Sequence, residues 1–135
     1  MTLLDAVPDR PPETTLWRRM PMILVTGVLL LAITIYHLVN FWEERTVNRF
    51  LTTLEAGDFE KAYQLWQPSE SYTYRDFLRD WGERGDYGKI RSFSVLDSDS
   101  KGFDGVVVRV RINNVNPPLK LWVSRKTKAL AFSPF

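Results

Sequence analysis

The stretch MPMILVTGVLLLAITIYHLVNFW, residues 20–42, is a run of 23 residues without a charged side chain. At about 1.5 Å of rise per residue, a helix of this length reaches roughly 35 Å, more than the roughly 30 Å hydrocarbon core of a bilayer. Trp17 and Trp42 flank the run, where an indole ring can keep its apolar body in lipid and its N–H among the headgroups. The run therefore predicts one membrane-spanning helix.

A cleaved signal peptide is the alternative interpretation of an apolar run near an N-terminus. Its apolar core would be shorter and would end at a small-residue cleavage site, whereas this run ends in Asn40, Phe41 and Trp42, followed by Glu43 and Glu44. These flanks favour retention as an anchor.

Basic residues flank the run unevenly and predict its orientation. Arg10, Arg18 and Arg19 precede it, whereas Arg45 and Arg49 follow it. The bias places the tail, residues 1–19, in the cytoplasm and the C-terminal part outside an inner (cytoplasmic) membrane, in a periplasm if the cell is Gram-negative. With no cysteine in the chain, the redox compartment adds nothing. The polar, proline-containing tail is expected to be disordered when alone.

The charge of the remaining part, residues 43–135, is divided along the chain. Residues 43–88 carry six basic and ten acidic side chains, whereas residues 89–135 carry nine basic and three acidic ones. A basic strand surface can bind phosphates of nucleic acid or lipid. Nucleic acid is not expected outside the cytoplasm, so a solvated face or docking on an acidic partner surface is favoured. The basic residues concerned are Arg109, Arg111, Arg125, Lys126 and Lys128.

Three helices are predicted after the apolar run. Neither Gly nor Pro occurs in residues 28–56, so the membrane helix can continue as a stalk whose apolar stripe recurs at helical spacing until Gly57 ends it. That stripe consists of Val47, Phe50, Leu51 and Leu54. Asp58 can cap a second helix that stops before Pro68, and Thr73 with Asp76 predicts the capping box of a third.

Alternating apolar residues then predict strands over residues 90–96, 106–112, 119–124 and 129–132. Asp97, Asp99 and Gly102 begin like a calcium loop, but Lys101 and Val108 stand where ligands are needed, so this segment is predicted to be a turn without a metal. Helices followed by an antiparallel sheet define an α+β fold.

The segment TVNRFLTTLEAGDFEKAYQLW, residues 46–66, resembles the opening of nuclear transport factor two-like (SnoaL-like) domains. Family members place a Gly-Asp turn between two helices, here Gly57 and Asp58, and an Ala-Tyr pair in the second helix, here Ala62 and Tyr63. The resemblance implies three helices and a curved antiparallel sheet that form a cone over roughly residues 45–135. Enzymes of this family commonly use an Asp and His pair in the cone, whereas residues 43–135 contain no histidine. This departure argues against the usual acid and base chemistry of the family.

The apolar helix is predicted to have two faces. In lipid, small and polar residues collect where helices pack together. The predicted partner-helix face consists of Thr26, Gly27, Thr34, His37 and Asn40. His37, the one histidine, bonds to a neighbouring helix in the favoured interpretation, and ligates a haem or chlorophyll in the alternative.

Large aromatic side chains of the domain can either line a cone pocket or fill a core. The candidate pocket residues are Trp66, Tyr72, Trp81 and Trp122. A domain of this size needs bulky groups in its core, so filling is favoured over ligand binding. Asp76 and Asp80 share a helix face, where a charge mosaic with nearby arginines is favoured over catalysis.

These features predict a non-catalytic, single-span accessory subunit that packs into a larger membrane complex, with respiratory and photosynthetic assemblies as candidates. A membrane-tethered domain that binds a small ligand in its cone is the alternative. An enzyme of unusual SnoaL-like type requires Asp or Tyr side chains that converge in a pocket.

Overall fold

The computed structural model describes the backbone of residues 14–135 and the side chains from Trp17 onward. The predicted disorder of residues 1–13 lies outside the described residues. By its contacts the chain divides at His37 and Leu38 into two compact units, the second of which, Leu38–Phe135, is called the domain below.

Helix α1 spans Thr14–Val39, with Pro21 inside it. It begins before the apolar run and includes residues 14–19, which were assigned to the tail. Extending an existing helix adds one hydrogen bond for each residue fixed, so the apolar run can carry its polar flank into the helix. The apolar side chains of α1 are exposed along its length. The helical stretch Trp17–Glu55 is long and apolar enough to cross a membrane.

Helix α2 spans Phe41–Glu55 and buries the predicted stripe of Val47, Phe50, Leu51 and Leu54. The predicted continuation of the apolar helix into this stripe is confirmed, with a single turn residue, Asn40, between α1 and α2. Gly57 follows the end of α2 with a positive φ of 78°, which a residue without a Cβ adopts readily.

Helix α3 spans Phe59–Trp66 and α4 spans Tyr74–Trp81. Asp58 caps α3 by accepting a hydrogen bond from the backbone N–H of Lys61 at 3.1 Å. Thr73 and Asp76 form the reciprocal capping box of α4. Both predicted helix starts are therefore confirmed.

A four-stranded antiparallel sheet follows, in the order β1-β2-β3-β4. The strands are β1 (Phe93–Lys101), β2 (Gly105–Ile112), β3 (Leu119–Ser124) and β4 (Leu130–Phe132). The α+β class is confirmed. The predicted turn at Asp97 and Asp99 is wrong, because β1 continues past a register shift between Val95 and Asp97 and ends at Lys101.

The core lies between the helices and one face of the sheet. Phe50 of α2, Phe77 and Trp81 of α4 and Leu121 of β3 are all almost completely buried. Phe50 holds the centre, with its ring 5.1 Å from that of Trp81 and 6.1 Å from that of Phe77. Burial of such side chains is the main source of stability for a domain this small.

Candidate functional site

The predicted partner-helix face of α1 is satisfied in part by its own backbone. The Thr26 hydroxyl donates to the carbonyl of Met22 and the Thr34 hydroxyl to that of Leu30, each at 2.8 Å. Both hydroxyls therefore have an acceptor without a partner helix. A Cβ on Gly27 would meet nothing within 4 Å among the described atoms, so α1 carries a small notch there.

His37 and Asn40 have different surroundings. His37 is exposed, and its ring lies edge-on to that of Tyr36 at 5.8 Å. Asn40 is half-buried and belongs to the domain. Its side-chain amide donates to Ser98 Oγ at 3.1 Å, and its Oδ1 accepts from Ser100 Oγ at 2.8 Å. The amide of Asn40 is thus used by strand β1 rather than offered to a helix in the membrane.

Arg125, in the turn between β3 and β4, completes this polar cluster. Its Nη2 donates to Asn40 Oδ1 at 2.9 Å and to Ser100 Oγ at 2.8 Å, and its Nη1 donates to the carbonyl of Val39 at 3.1 Å. Carbonyls at a helix C-terminus lack intrahelical donors and carry partial negative charge, so a guanidinium stabilises them. Arg125 therefore caps the last turn of α1.

Glu43 extends the cluster as a buried charge, with 2% of its surface exposed. Its Oε1 accepts from Lys128 Nζ and lies 3.9 Å from Arg125 Nη1. Its Oε2 has no hydrogen-bond donor among the described residues. Since an unpaired buried carboxylate is costly, the two cations of the β3–β4 turn are what permit Glu43 to be buried at this position.

We call this group the base cluster: Asn40, Glu43, Ser98, Ser100, Arg125 and Lys128. It joins the start of α2 to strand β1 and to the β3–β4 turn, which lie about 60 and 85 residues further along the chain. Sequence patterns did not indicate this cluster: they place Asn40 on the face of a partner helix and the basic residues of the turn on a solvated or docking face. One feature of the sequence points to such a cluster: Glu43 directly follows the apolar run, and most of the basic residues that could pair with it lie in residues 89–135.

The candidate pocket residues divide into two groups. Trp66 and Trp81 lie in the core with rings 5.6 Å apart, and Tyr72 lies beside Trp66 at 5.8 Å. Trp122 stands between buried Leu121 and Val123, so it points to the opposite face of the sheet. There it packs over Gly105 and against Phe135. The four residues do not line one cavity.

Tyr72 and Asp80 are brought together, but in a way that favours a structural role. The Tyr72 hydroxyl donates to Asp80 Oδ2 at 2.6 Å, and the Tyr63 hydroxyl donates to the carbonyl of Tyr72 at 2.7 Å. Burial, followed by the hydrogen bond to Asp80, raises the pKa of Tyr72 above its ordinary value. A phenol with a raised pKa is a weaker acid, and the two hydrogen bonds fasten the loop before α4.

An open groove lies between the exposed side of α2 and strand β1. It has a volume of about 500 Å³ and is lined by Phe41, Glu44, Arg45, Asn48, Arg49 and Val95. We call it the α2 groove. Two arginines and two apolar side chains suit an acidic segment with some apolar character. In the sequence, Arg45 and Arg49 indicate only the orientation of the apolar helix, not a groove.

The two acidic residues that resemble the start of a calcium loop, Asp97 and Asp99, are paired with basic residues on the surface. Asp97 accepts two hydrogen bonds from the guanidinium of Arg109 on the neighbouring strand, and Asp99 accepts one from Lys101. The hydrogen bonds that Arg109 donates to Asp97 raise the pKa of the guanidinium above its ordinary value. Asp97 is thus paired across the strands with Arg109, and Asp99 is paired with Lys101 within β1.

No protein-family model, curated protein or solved structure matches the chain in comparisons with known proteins.

Proposed function

We propose that the protein is a non-catalytic, single-span accessory subunit of a larger membrane protein complex. Helix α1 would cross the bilayer beside helices of the complex, and the domain would dock on a partner at the membrane surface. The cone of a SnoaL-like domain is the form we propose for α2 to α4 and the sheet. Respiratory and photosynthetic complexes are the candidate assemblies.

The observation that carries this proposal is the contrast between α1 and the domain. The domain buries most of its large apolar residues, whereas Leu24, Leu31 and Ile35 in α1 are each more than half exposed. Exposed apolar surface on this scale requires lipid or another protein to cover it. The notch at Gly27 suits close approach of a second helix, because helices in lipid associate through small residues.

The filled interior of the domain supports a role without catalysis. Trp66 and Trp81 occupy the space between helices and sheet, where a ligand or substrate of a cone-shaped domain would bind. The domain also lacks the histidine that the resemblance associates with enzymes. The α2 groove then offers the domain a docking surface of suitable charge for an acidic partner segment.

Extraction of native membranes in a mild detergent tests the proposal. We expect the chain to migrate with a complex far larger than its own 15.8 kDa. Gly27→Leu, which fills the notch on the predicted partner face, should release the subunit from the complex. The matched control is Val28→Phe, which lies about 100° around the helix from Gly27, on the apolar face that also carries Leu24 and Ile35, and it should leave the complex intact. Migration of the wild-type chain as a lone small protein would refute the proposal.

The α2 groove supports a second candidate function, the binding of a small ligand. Its size and its two arginines suit a small anionic amphiphile, so a membrane-tethered binding domain remains a candidate, with its site outside the predicted pocket. Arg45→Glu with Arg49→Glu should weaken association with the complex if the groove binds a protein. If purified wild-type chain instead carries a bound lipid-like molecule that this variant loses, the binding function is favoured.

A further inference from the structure

We propose that the β1–β2 turn of the domain dips into the membrane surface, with Phe103 as its lipid-inserted side chain. The inference rests on the proposed membrane anchor. It adds a second membrane contact, made by the domain itself, and it assigns a lipid surface as the partner of a residue at the tip of a hairpin.

The first observation is the exposure of Phe103. Its side chain is 100% exposed, the highest value among the large apolar residues of the described chain. It lies at the centre of the tight turn formed by Gly102, Phe103 and Asp104, and Gly102 has a positive φ of 68°. A fully exposed phenyl ring on a short turn gains nothing from packing in this fold, so its apolar surface is free to enter another apolar phase.

The second observation is the end of the domain at which this turn lies. The backbone N–H of Arg125 donates to the carbonyl of Asp104 at 3.0 Å, and Arg125 also binds Asn40 and the carbonyl of Val39. Ser100, just before the turn, donates to Asn40 as well. The turn is therefore held beside the residues through which the domain is joined to the apolar helix. Leu38, the first residue of the domain, directly follows His37 in the chain.

The third observation is the chemistry of the other exposed residues at this end. Trp42 is 61% exposed, and the guanidinium of Arg45 lies 5.9 Å from its ring. Lys126, in the neighbouring β3–β4 turn, is exposed. An indole, a phenyl ring and basic side chains together are the groups that proteins place at the boundary between headgroups and acyl chains. Acidic residues are present as well: Asp99 is paired with Lys101 and Glu43 is buried, whereas Asp104 is exposed beside Phe103. The proposed insertion is therefore limited to the phenyl ring, with the carboxylate of Asp104 among the headgroups.

The absence of cysteine from the chain permits a direct test with a single label. Phe103→Cys in the full chain is labelled with an environment-sensitive NBD fluorophore and reconstituted into vesicles of phosphatidylcholine and phosphatidylglycerol. We expect the label to emit at shorter wavelength than NBD dissolved in water and to be protected from quenching by iodide. Lipids that carry a nitroxide near the headgroup should quench it.

The matched control is Val115→Cys, in the loop between β2 and β3 at the opposite end of the antiparallel sheet. Val115 is 63% exposed, and its label should be quenched by iodide and not by nitroxide lipids. If the Phe103 label behaves like the Val115 label in vesicles from which alkaline carbonate does not extract the protein, the inference is wrong and the anchor stands. Extraction by carbonate would instead refute the anchor.

A third outcome separates lipid from protein. Shielding of the Phe103 label in native membranes, together with full iodide quenching in vesicles of the purified chain, would show that a protein covers the turn. That result would overturn the lipid assignment and leave the proposed accessory role in place.

Discussion

Helices α1 and α2 follow one another in the chain, and their apolar side chains differ in burial. Helix α2 has apolar residues on one side, and that side is buried against the sheet and the other helices. Helix α1 has apolar residues on all sides, and they are exposed. The fold of the domain is therefore specified by contacts within this chain, whereas the apolar surface of α1 is left uncovered by the described residues.

The largest effect that this comparison predicts is at Phe50. Phe50→Ala should lower the free energy of unfolding of the domain by about 3–5 kcal/mol, because a buried phenyl ring is removed from the centre of the core. Leu31→Ala in α1 should leave that free energy unchanged. The measurement is denaturant unfolding of the full chain in detergent, monitored by the near-ultraviolet circular dichroism of the buried tryptophans. Equal losses for the two variants would show that α1 is packed against the domain.

The second effect concerns the buried charge at the start of α2. Glu43→Gln should cost about 2–3 kcal/mol, less than the roughly 3–5 kcal/mol of a fully buried pair, because Lys128 remains partly solvated. Glu55→Gln is the matched control, since Glu55 is exposed at the other end of the same helix. In a Lys128→Met background the Glu43→Gln loss should change, as expected for coupled residues. A loss that is the same in both backgrounds would remove Lys128 from the base cluster.

The sequence predicted the elements of the domain because their signals are local. The buried stripe of α2, the Asp58 cap and the Thr73 capping box each depend on residues within one or two helical turns. The alternation of Val106, Val108 and Val110 likewise identifies β2 and its buried face. The extent of β1 was missed because the register shift after Val95 moves the alternation out of phase, so charged residues continue the strand.

The base cluster and the position of Trp122 could not be predicted, because both depend on which distant strands meet. From the sequence, Asn40 is interpreted as a polar residue of a membrane helix. In the structure it forms hydrogen bonds with Ser98 and Ser100 of β1. Trp122 reads as a core residue until the register places it over Gly105 on the other face. Periodicity assigns a residue to a face, but it does not identify what covers that face.

The third effect compares two glycines. A Cβ at Gly105 would lie 2.2 Å from the ring of Trp122, whereas a Cβ at Gly27 in α1 would meet nothing within 4 Å. Gly105→Ala should therefore cost about 1–2 kcal/mol in the same unfolding measurement, because the indole must move. Gly27→Ala should leave the domain as stable as before. If Gly105→Ala were harmless, the packing of Trp122 on the outer face of the sheet would be wrong.

The smallest effect compares two threonines and carries a pH dependence. Thr73→Ala removes the cap of α4 and should cost about 0.5–2 kcal/mol, whereas Thr34→Ala, whose hydroxyl bonds only to its own helix, should cost the domain nothing.

Hydrogen bonds from the Thr73 side chain and backbone lower the pKa of Asp76 below its ordinary value of 3.8. A lowered pKa in the folded state adds stability that is fully present above the ordinary value and is lost as the pH falls through the folded one. The penalty of Thr73→Ala should accordingly be complete at pH 7 and decrease below about pH 4, since protonated Asp76 no longer accepts the two hydrogen bonds as a charged group. Unfolding of both threonine variants across that pH range measures this, and a Thr73→Ala penalty that is constant with pH would separate the cap from the charge of Asp76.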